Sequence, residues 1–159
     1  MIQIQVADLN NVTHASAVVE LLNEYAKDPM GGDEALSEYT QTHLIDEMKK
    51  RKTIYALLAF VDQQAIGLCV CVEGFSTFAC KPLLNVHDMV VLKAYRGRGI
   101  AVQLLTAAKD LASEKGCCKL TLEVFSENKA AQSVYRSVGF VPYALDPAMG
   151  TAEFWQFKF

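Results

Sequence analysis

Apolar and polar positions along the chain change period several times, and each change marks an element. Ile2, Ile4 and Val6 alternate with Gln3 and Gln5, the period-two pattern of a half-buried strand. From Thr13 the apolar positions become Ala17, Val18, Leu21, Leu22 and Tyr25, which is helical spacing. The turn-forming run Asp28-Pro29-Met30-Gly31-Gly32 ends that helix. A second, more polar helix is expected from about Ser37 to Lys50. Thr53–Val61 and Ala65–Phe75 have the pattern of strands joined by the turn Asp62-Gln63-Gln64. A loop containing Pro82 then leads to a fourth strand near Asn85–Val91.

Helical spacing resumes at Ile100 and runs to Glu114, where Lys115-Gly116 forms a stop: a cation in the last turn, then glycine just past the end. Lys119–Phe125 is expected to be a fifth strand, and Asn128 to about Ser137 a helix stopped by Gly139. Two short strands are expected around Phe140–Tyr143 and Ala152–Phe159, with Asp146-Pro147 between them. The order β-α-α-β-β-β-α-β-α-β-β carries no repeat and no linker. It predicts one mixed α/β domain over residues 1–159, with hairpins in the middle and a parallel β-α-β unit near residue 90.

Composition removes several classes of function. A chain that is 52% hydrophobic and 21% charged can bury a sizeable core. A formal charge of -3 argues against a nucleic-acid protein, which would carry a basic face. The longest apolar run, Ile54–Val61, has eight residues, whereas a spanning helix needs about 20, and the amino terminus has no apolar signal core, so no membrane role is expected. The five cysteines are odd in number and form no C-x-x-C pair. They read as reduced core thiols of a cytoplasmic protein. His14, His43 and His87 share no ligand spacing, and no metal is expected.

The chemistry is concentrated where the strand ending Met89-Val90-Val91 runs through Arg96-Gly97-Arg98-Gly99 directly into the helix Ile100-Ala101. The first N–H groups of a helix have no internal partner and face the positive end of its dipole, so a phosphate docks there readily. The plain alternative is a tight turn with two solvated arginines. A Walker loop is excluded because Ile100, not lysine, follows Gly99. A dinucleotide fingerprint starting at Gly97 meets Val102 where its last glycine belongs. The pattern Q/R-x-x-G-x-G/A is met by Arg96, Gly99 and Ala101, though average composition yields it in about one chain in seven of this length.

A second segment makes the match specific. Asn128, Ala131 and Tyr135 share one helix face, after the strand Leu120-Thr121-Leu122-Glu123-Val124 and before Gly139-Phe140. Together the two segments resemble the GCN5-related N-acetyltransferase family. In that family R-x-x-G-x-G/A grips the pyrophosphate of acetyl-CoA, and L-x-V, N-x-x-A and Y-x-x-x-G-F follow downstream. The motifs cover residues 85–140. A looser likeness is to the diamine acetyltransferase branch, which carries Glu-Asp where this chain has His87-Asp88.

The resemblance implies the acyl-CoA N-acyltransferase fold, a twisted mixed sheet of about seven strands flanked by four helices. It implies direct attack of an amine on the acetyl thioester. The strands around Val91 and Val124 would splay, and the pantetheine arm would bond the exposed backbone of Met89 and Val91. An N–H of Met89 or Val90 would polarise the thioester carbonyl. Residues Arg96, Gly97, Arg98, Gly99, Ile100 and Ala101 would take the pyrophosphate. Asn128, with Ala131 beside it, would bond the arm or cap its own helix. Tyr135 would be the general acid for a thiolate leaving group, the plain alternative being a tyrosine packed on the sheet.

An alkylammonium of pKa about 10.4 is only about 0.04% neutral at pH 7, a handicap of roughly 4.6 kcal/mol, so a base is needed. His87 suits that task because an imidazole titrates near neutral pH. Asp88, Glu73, Glu123 or a water chain are alternatives, and simple alternation puts His87 on the face of Met89 with Asp88 opposite. The acceptor would lie between the first two helices and the loop after the third strand. Asp28, Asp33, Glu34 and Glu73 could draw a cation there, or form a solvated surface. A small amine, an amino acid and a peptide amino terminus all remain open as acceptors. The competing function on the same fold is a silent acyl-CoA-binding module. A family-style homodimer is possible, but no segment specifies its interface.

Overall fold

The predicted order of elements holds up to residue 138 in the computed structural model, which describes all 159 residues. The elements are β1 (Gln3–Val6), α1 (Val12–Ala26), α2 (Glu38–Lys49), β2 (Ile54–Val61), β3 (Gln64–Ser76), β4 (Lys81–Val91), α3 (Ile100–Glu114), β5 (Leu120–Leu122) and α4 (Lys129–Val138). Side chains begin the helices as their chemistry dictates. Asn11 accepts from the Thr13 and His14 amides, Ser37 from Thr40, and Asn128 from Ala131. Of the membrane-spanning kind, no helix is long and apolar enough.

The strands form one sheet in the order β1-β2-β3-β4-β5, antiparallel throughout except for the parallel pair β4–β5. Helices cover both faces, which is why β2 and β3 are near-continuous apolar runs rather than alternating ones. On one face Cys69, Cys71, Leu84 and Val86 pack under Ile100, Leu104, Leu105 and Ala108 of α3. On the other, Leu58, Leu68, Val70 and Val90 pack under Ala17, Val18 and Leu21 of α1 and Met48 of α2.

Two irregularities shape the site. The β3–β4 register jumps from Val70↔Asp88 to Cys71↔Val86, so His87 is the extra residue of a bulge in β4. Val86 and Met89 both pack toward the α3 side although three positions apart. His87 and Asp88 between them therefore share the opposite, α1-facing side, which corrects the simple-alternation expectation. The second irregularity is in the parallel pairing, which covers only Leu84↔Leu120 to Val86↔Leu122. The bulge comes one residue after the last pair. It bends β4 away, and the edge of His87–Val91 is left open toward β5.

Three expected strand limits are corrected. The strand expected over Lys119–Phe125 pairs only over Leu120–Leu122, because its partner departs at the bulge. β4 starts at Lys81 and contains Pro82, whose carbonyl accepts the Cys118 N–H at 2.8 Å. The sheet has five strands, not seven: Phe140–Tyr143 and Ala152–Phe159 pair with nothing, and Trp155 and Phe157 are exposed. Period-two patterning selects which side chains share a face, but only an available edge turns an extended segment into a strand.

Candidate active site

The turn between β4 and α3 is shaped by two left-handed glycines, Gly97 at φ 77° and Gly99 at φ 74°. Side-chain-bearing residues rarely adopt that conformation, which explains the glycines at these positions. The first backbone bond of the helix runs from Gln103 N–H to the Gly99 carbonyl, so the N–H groups of residues 97–102 have no backbone acceptor. A Cβ built on Gly97 or Gly99 would meet no atom within 4 Å. Open space thus lies in front of a row of free donors at the positive end of a 15-residue helix. Such an arrangement of backbone donors suits an anion.

That turn is one wall of a cavity of roughly 450 Å³. Met89, Val90 and Val91 of β4 form the floor, Asn128, Ala131 and Val134 of α4 another wall, and Tyr25, Asp28 and Met30 the wall opposite. Of the residues expected to hold the cofactor, Met89, Val90, Val91, Arg96, Gly97, Gly99, Ile100, Ala101, Asn128 and Ala131 all line it. Arg98 does not. Its guanidinium lies 5.2 Å from the Tyr95 ring centroid and donates to the Ala94 carbonyl at 3.2 Å.

Backbone direction along the floor follows from two bonds. Leu92 N–H donates to Ile66 of β3, and the Val91 carbonyl accepts Arg96 Nε from the open side at 3.0 Å. By alternation the backbone groups of Met89 and Val91 face the open edge, and those of Val90 face β3. Val90 is also buried by its side chain in the core under α1. Of the two oxyanion donors expected, Met89 is the one turned into the cleft.

Tyr135 follows Val134 on α4, half-buried, with its ring 6.1 Å from Phe140 in an edge contact. Burial, with smaller contributions from Tyr25 and Cys69, raises its phenol above the ordinary value. Tyr25, at the end of α1, is likewise raised by burial and by the charges of Asp88 and Asp28. Burial raises the Asp88 carboxyl, against an opposing pull from His87. Of these three residues Tyr25 alone lines the cavity; Asp88 and Tyr135 are half-buried behind its lining, and His87 is exposed. Glu73 is elsewhere, on the α3 side, accepting the Tyr55 hydroxyl at 3.0 Å. Glu123 is held by Asn85 Nδ2 at 3.2 Å.

Tyr25 and Met30 line the cavity although the sequence did not single them out for it. Tyr25 looks like one more apolar-face position of α1, and only its place against β4 shows otherwise. Asn128 is seen to do its capping work, Oδ1 accepting the Ala131 N–H at 3.1 Å, while still lining the cavity.

An open α/β cleft with free helix amides at one end and an unpaired strand edge along its floor suits a long, anionic ligand with an extended arm. The chain belongs to the acetyltransferase (GNAT) family, a family of acetyl-CoA-dependent N-acetyltransferases, whose model matches residues 16–140. N-alpha-acetyltransferase 30 of Schizosaccharomyces pombe is 38% identical over 110 residues, 69% of this chain and 70% of that protein. The N-acetyltransferase YhfO of Bacillus subtilis is 28% identical over 144 residues, 83% of this chain and 91% of that protein. N-alpha-acetyltransferase MAK3 of Arabidopsis thaliana is 38% identical, over a stretch that spans only 43% of that protein. Among solved structures, a probable acetyltransferase superposes with a TM-score of 0.83 at 23% identity over 98% of both chains. AAC(6')-Iy, solved with a CoA-linked bisubstrate analogue, superposes at 0.77 and 20% identity over 99% of both. These two likenesses concern the fold.

Proposed function

We propose that this protein transfers the acetyl group of acetyl-CoA to a primary amine that is protonated in solution, by direct attack. The observation that carries the reading is the continuity of one cavity from the free amides of residues 97–102 to the open backbone of Met89 and Val91. The residues present suit the co-substrate. Amides of residues 97–102 and Arg96 would hold the pyrophosphate, and Met89, Val91 and Asn128 the pantetheine arm. Bound there, acetyl-CoA supplies an activated acyl group.

The protein's own groups do the rest. The Met89 N–H turns toward the edge where charge develops on the thioester oxygen. Tyr135 stays protonated throughout the neutral range, because burial raises its phenol, and it can give its proton to the departing thiolate. Asp88 is a carboxyl raised by desolvation, and an arriving ammonium would add to the counter-charge that His87 offers it. His87, exposed on the same face, takes the ammonium proton and passes it to solvent. The relatives include aminoglycoside acetyltransferases and N-alpha-acetyltransferases, so antibiotics and peptide amino termini belong among the acceptors to test. The five cysteines are free, which supports a reducing, cytoplasmic setting.

The test is thiol release from acetyl-CoA with a free-thiol reagent, across diamines, amino acids, aminoglycosides and short peptides. At least one amine should release thiol. Tight acetyl-CoA binding without thiol release from any amine would instead make the chain a silent binding module. With the best amine, Asp88→Asn should raise the amine KM, while His87→Gln should remove the rise of kcat/KM through the imidazole range. An unchanged profile in His87→Gln would move the base to a carboxylate or a water chain.

A further inference from the structure

The turn between α1 and α2 is organised around a single carboxylate. Asp28 Oδ1 accepts the Met30 N–H at 3.0 Å, and the Asp28 carbonyl accepts Gly31 N–H at 2.7 Å and Asp33 N–H at 3.2 Å. Gly31 sits so close beneath the Tyr25 carbonyl that a Cβ there would collide with it. The remaining carboxylate oxygen, Oδ2, accepts Arg96 Nη2 at 3.0 Å. Arg96 in turn donates through Nε to the Val91 carbonyl at 3.0 Å. One guanidinium thus fastens three walls of the cavity: the α1–α2 turn, the open end of β4 and the anion-binding turn. Its five N–H donors leave several free for a phosphate, so an anion need not displace Asp28.

We propose that Asp28 is a positioning residue that acts through Arg96, holding Met30 and Tyr25 against the cleft so that the amine-binding wall is in place. The inference rests on the acetyltransferase reading above. Its signature is a split in opposite directions. Removing the carboxylate's charge loosens the amine wall, yet leaves Arg96 an unshared cation facing the pyrophosphate. A turn that was only structural would weaken both ligands together.

The side chains are 52% and 27% exposed for Arg96 and Asp28, so the pair is a partly screened one and the effects should be modest. Asp28→Asn, which keeps an oxygen for the Met30 amide, should raise the amine KM about three- to five-fold, change kcat less than about two-fold, and leave acetyl-CoA affinity equal or tighter. Arg96→Gln should raise the amine KM by a similar factor, and the double variant should be no worse than either single one. Asp28→Glu should recover part of the loss. Amide exchange by NMR gives a readout that needs no acceptor: the Gly31 and Asp33 N–H groups should exchange faster in both single variants. Unchanged amine KM in Asp28→Asn, multiplying effects in the double variant, or unchanged exchange in Arg96→Gln would each overturn the proposal. If the wild type released no thiol but the exchange rates behaved as stated, the acetyltransferase reading would fail and the Asp28–Arg96 fastening would stand.

Discussion

Gly67 is the point at which the core is mechanically joined to the turn proposed to hold the pyrophosphate. It lies on β3 directly beneath the first turn of α3, and a Cβ there would stand 3.2 Å from Leu104 Cδ1, 3.2 Å from the Val90 carbonyl oxygen and 3.3 Å from Ile100 Cγ2. The carbonyl belongs to the sheet and cannot retreat. Ile100 and Leu104 are 2% and 0% exposed, and the open space beside Ile100 is the cavity that it lines. Gly67→Ala must therefore lift the amino-terminal end of α3 by a few tenths of an ångström or turn Ile100 into that cavity. Overpacking of this kind costs about 1–3 kcal/mol, offset by about 0.5–1 kcal/mol from the smaller backbone entropy of alanine in the unfolded chain. The net loss spans about 0–2.5 kcal/mol and centres on about 1 kcal/mol, a fall in Tm of about 2–4 °C for a chain of this length. The lifted turn carries the amides of residues 97–102, so acetyl-CoA affinity should fall about three- to ten-fold, read by calorimetry on the folded variant. Gly74→Ala is the control: its nearest neighbour is the Leu83 side chain at 3.3 Å, far from the cavity, and binding should not change. An unaltered Tm in Gly67→Ala would refute the packing argument. A lowered Tm with unaltered affinity would refute the link from packing to the anion site.

Three further outcomes bear on the chemistry. Tyr135→Phe keeps the ring contact with Phe140 and loses only the hydroxyl, so turnover should fall about ten- to a thousand-fold with little change in acetyl-CoA affinity. Because the phenol is raised, its neutral form should persist past pH 10, and a wild-type rate that collapsed from loss of an acid between pH 8 and 9 would place that acid elsewhere. Gly99→Glu puts a side chain at φ 74° and a carboxylate before the free amides, and should abolish acetyl-CoA binding while circular dichroism shows the fold retained; unchanged affinity in the folded variant would dismiss the turn as the anion site.

Local pattern alone determined the helices and picked out most of the residues that line one cavity. Apolar spacing, Asn and Ser caps and the Gly116 and Gly139 stops act within a few residues, so α1 to α4 are legible to within a residue or two. The anion turn is legible for the same reason: glycines at positive φ leading into a helix create free donors wherever they occur. Tertiary structure decided what depends on distant partners. A bulge is a mismatch between two strands, so nothing local in Asn85–Val91 announces that His87 and Asp88 share a face. Asp28 and Arg96 lie far apart in sequence and meet only because α1 and the end of β4 pack on the same side of the cleft. Tyr25 reaches the cavity by the same packing. The segments Phe140–Tyr143 and Ala152–Phe159 carry strand-like patterning but no ladder, since a strand needs a partner's edge as well as its own alternation. Periodicity is a property of one segment, whereas register, pairing and the meeting of charges are properties of two.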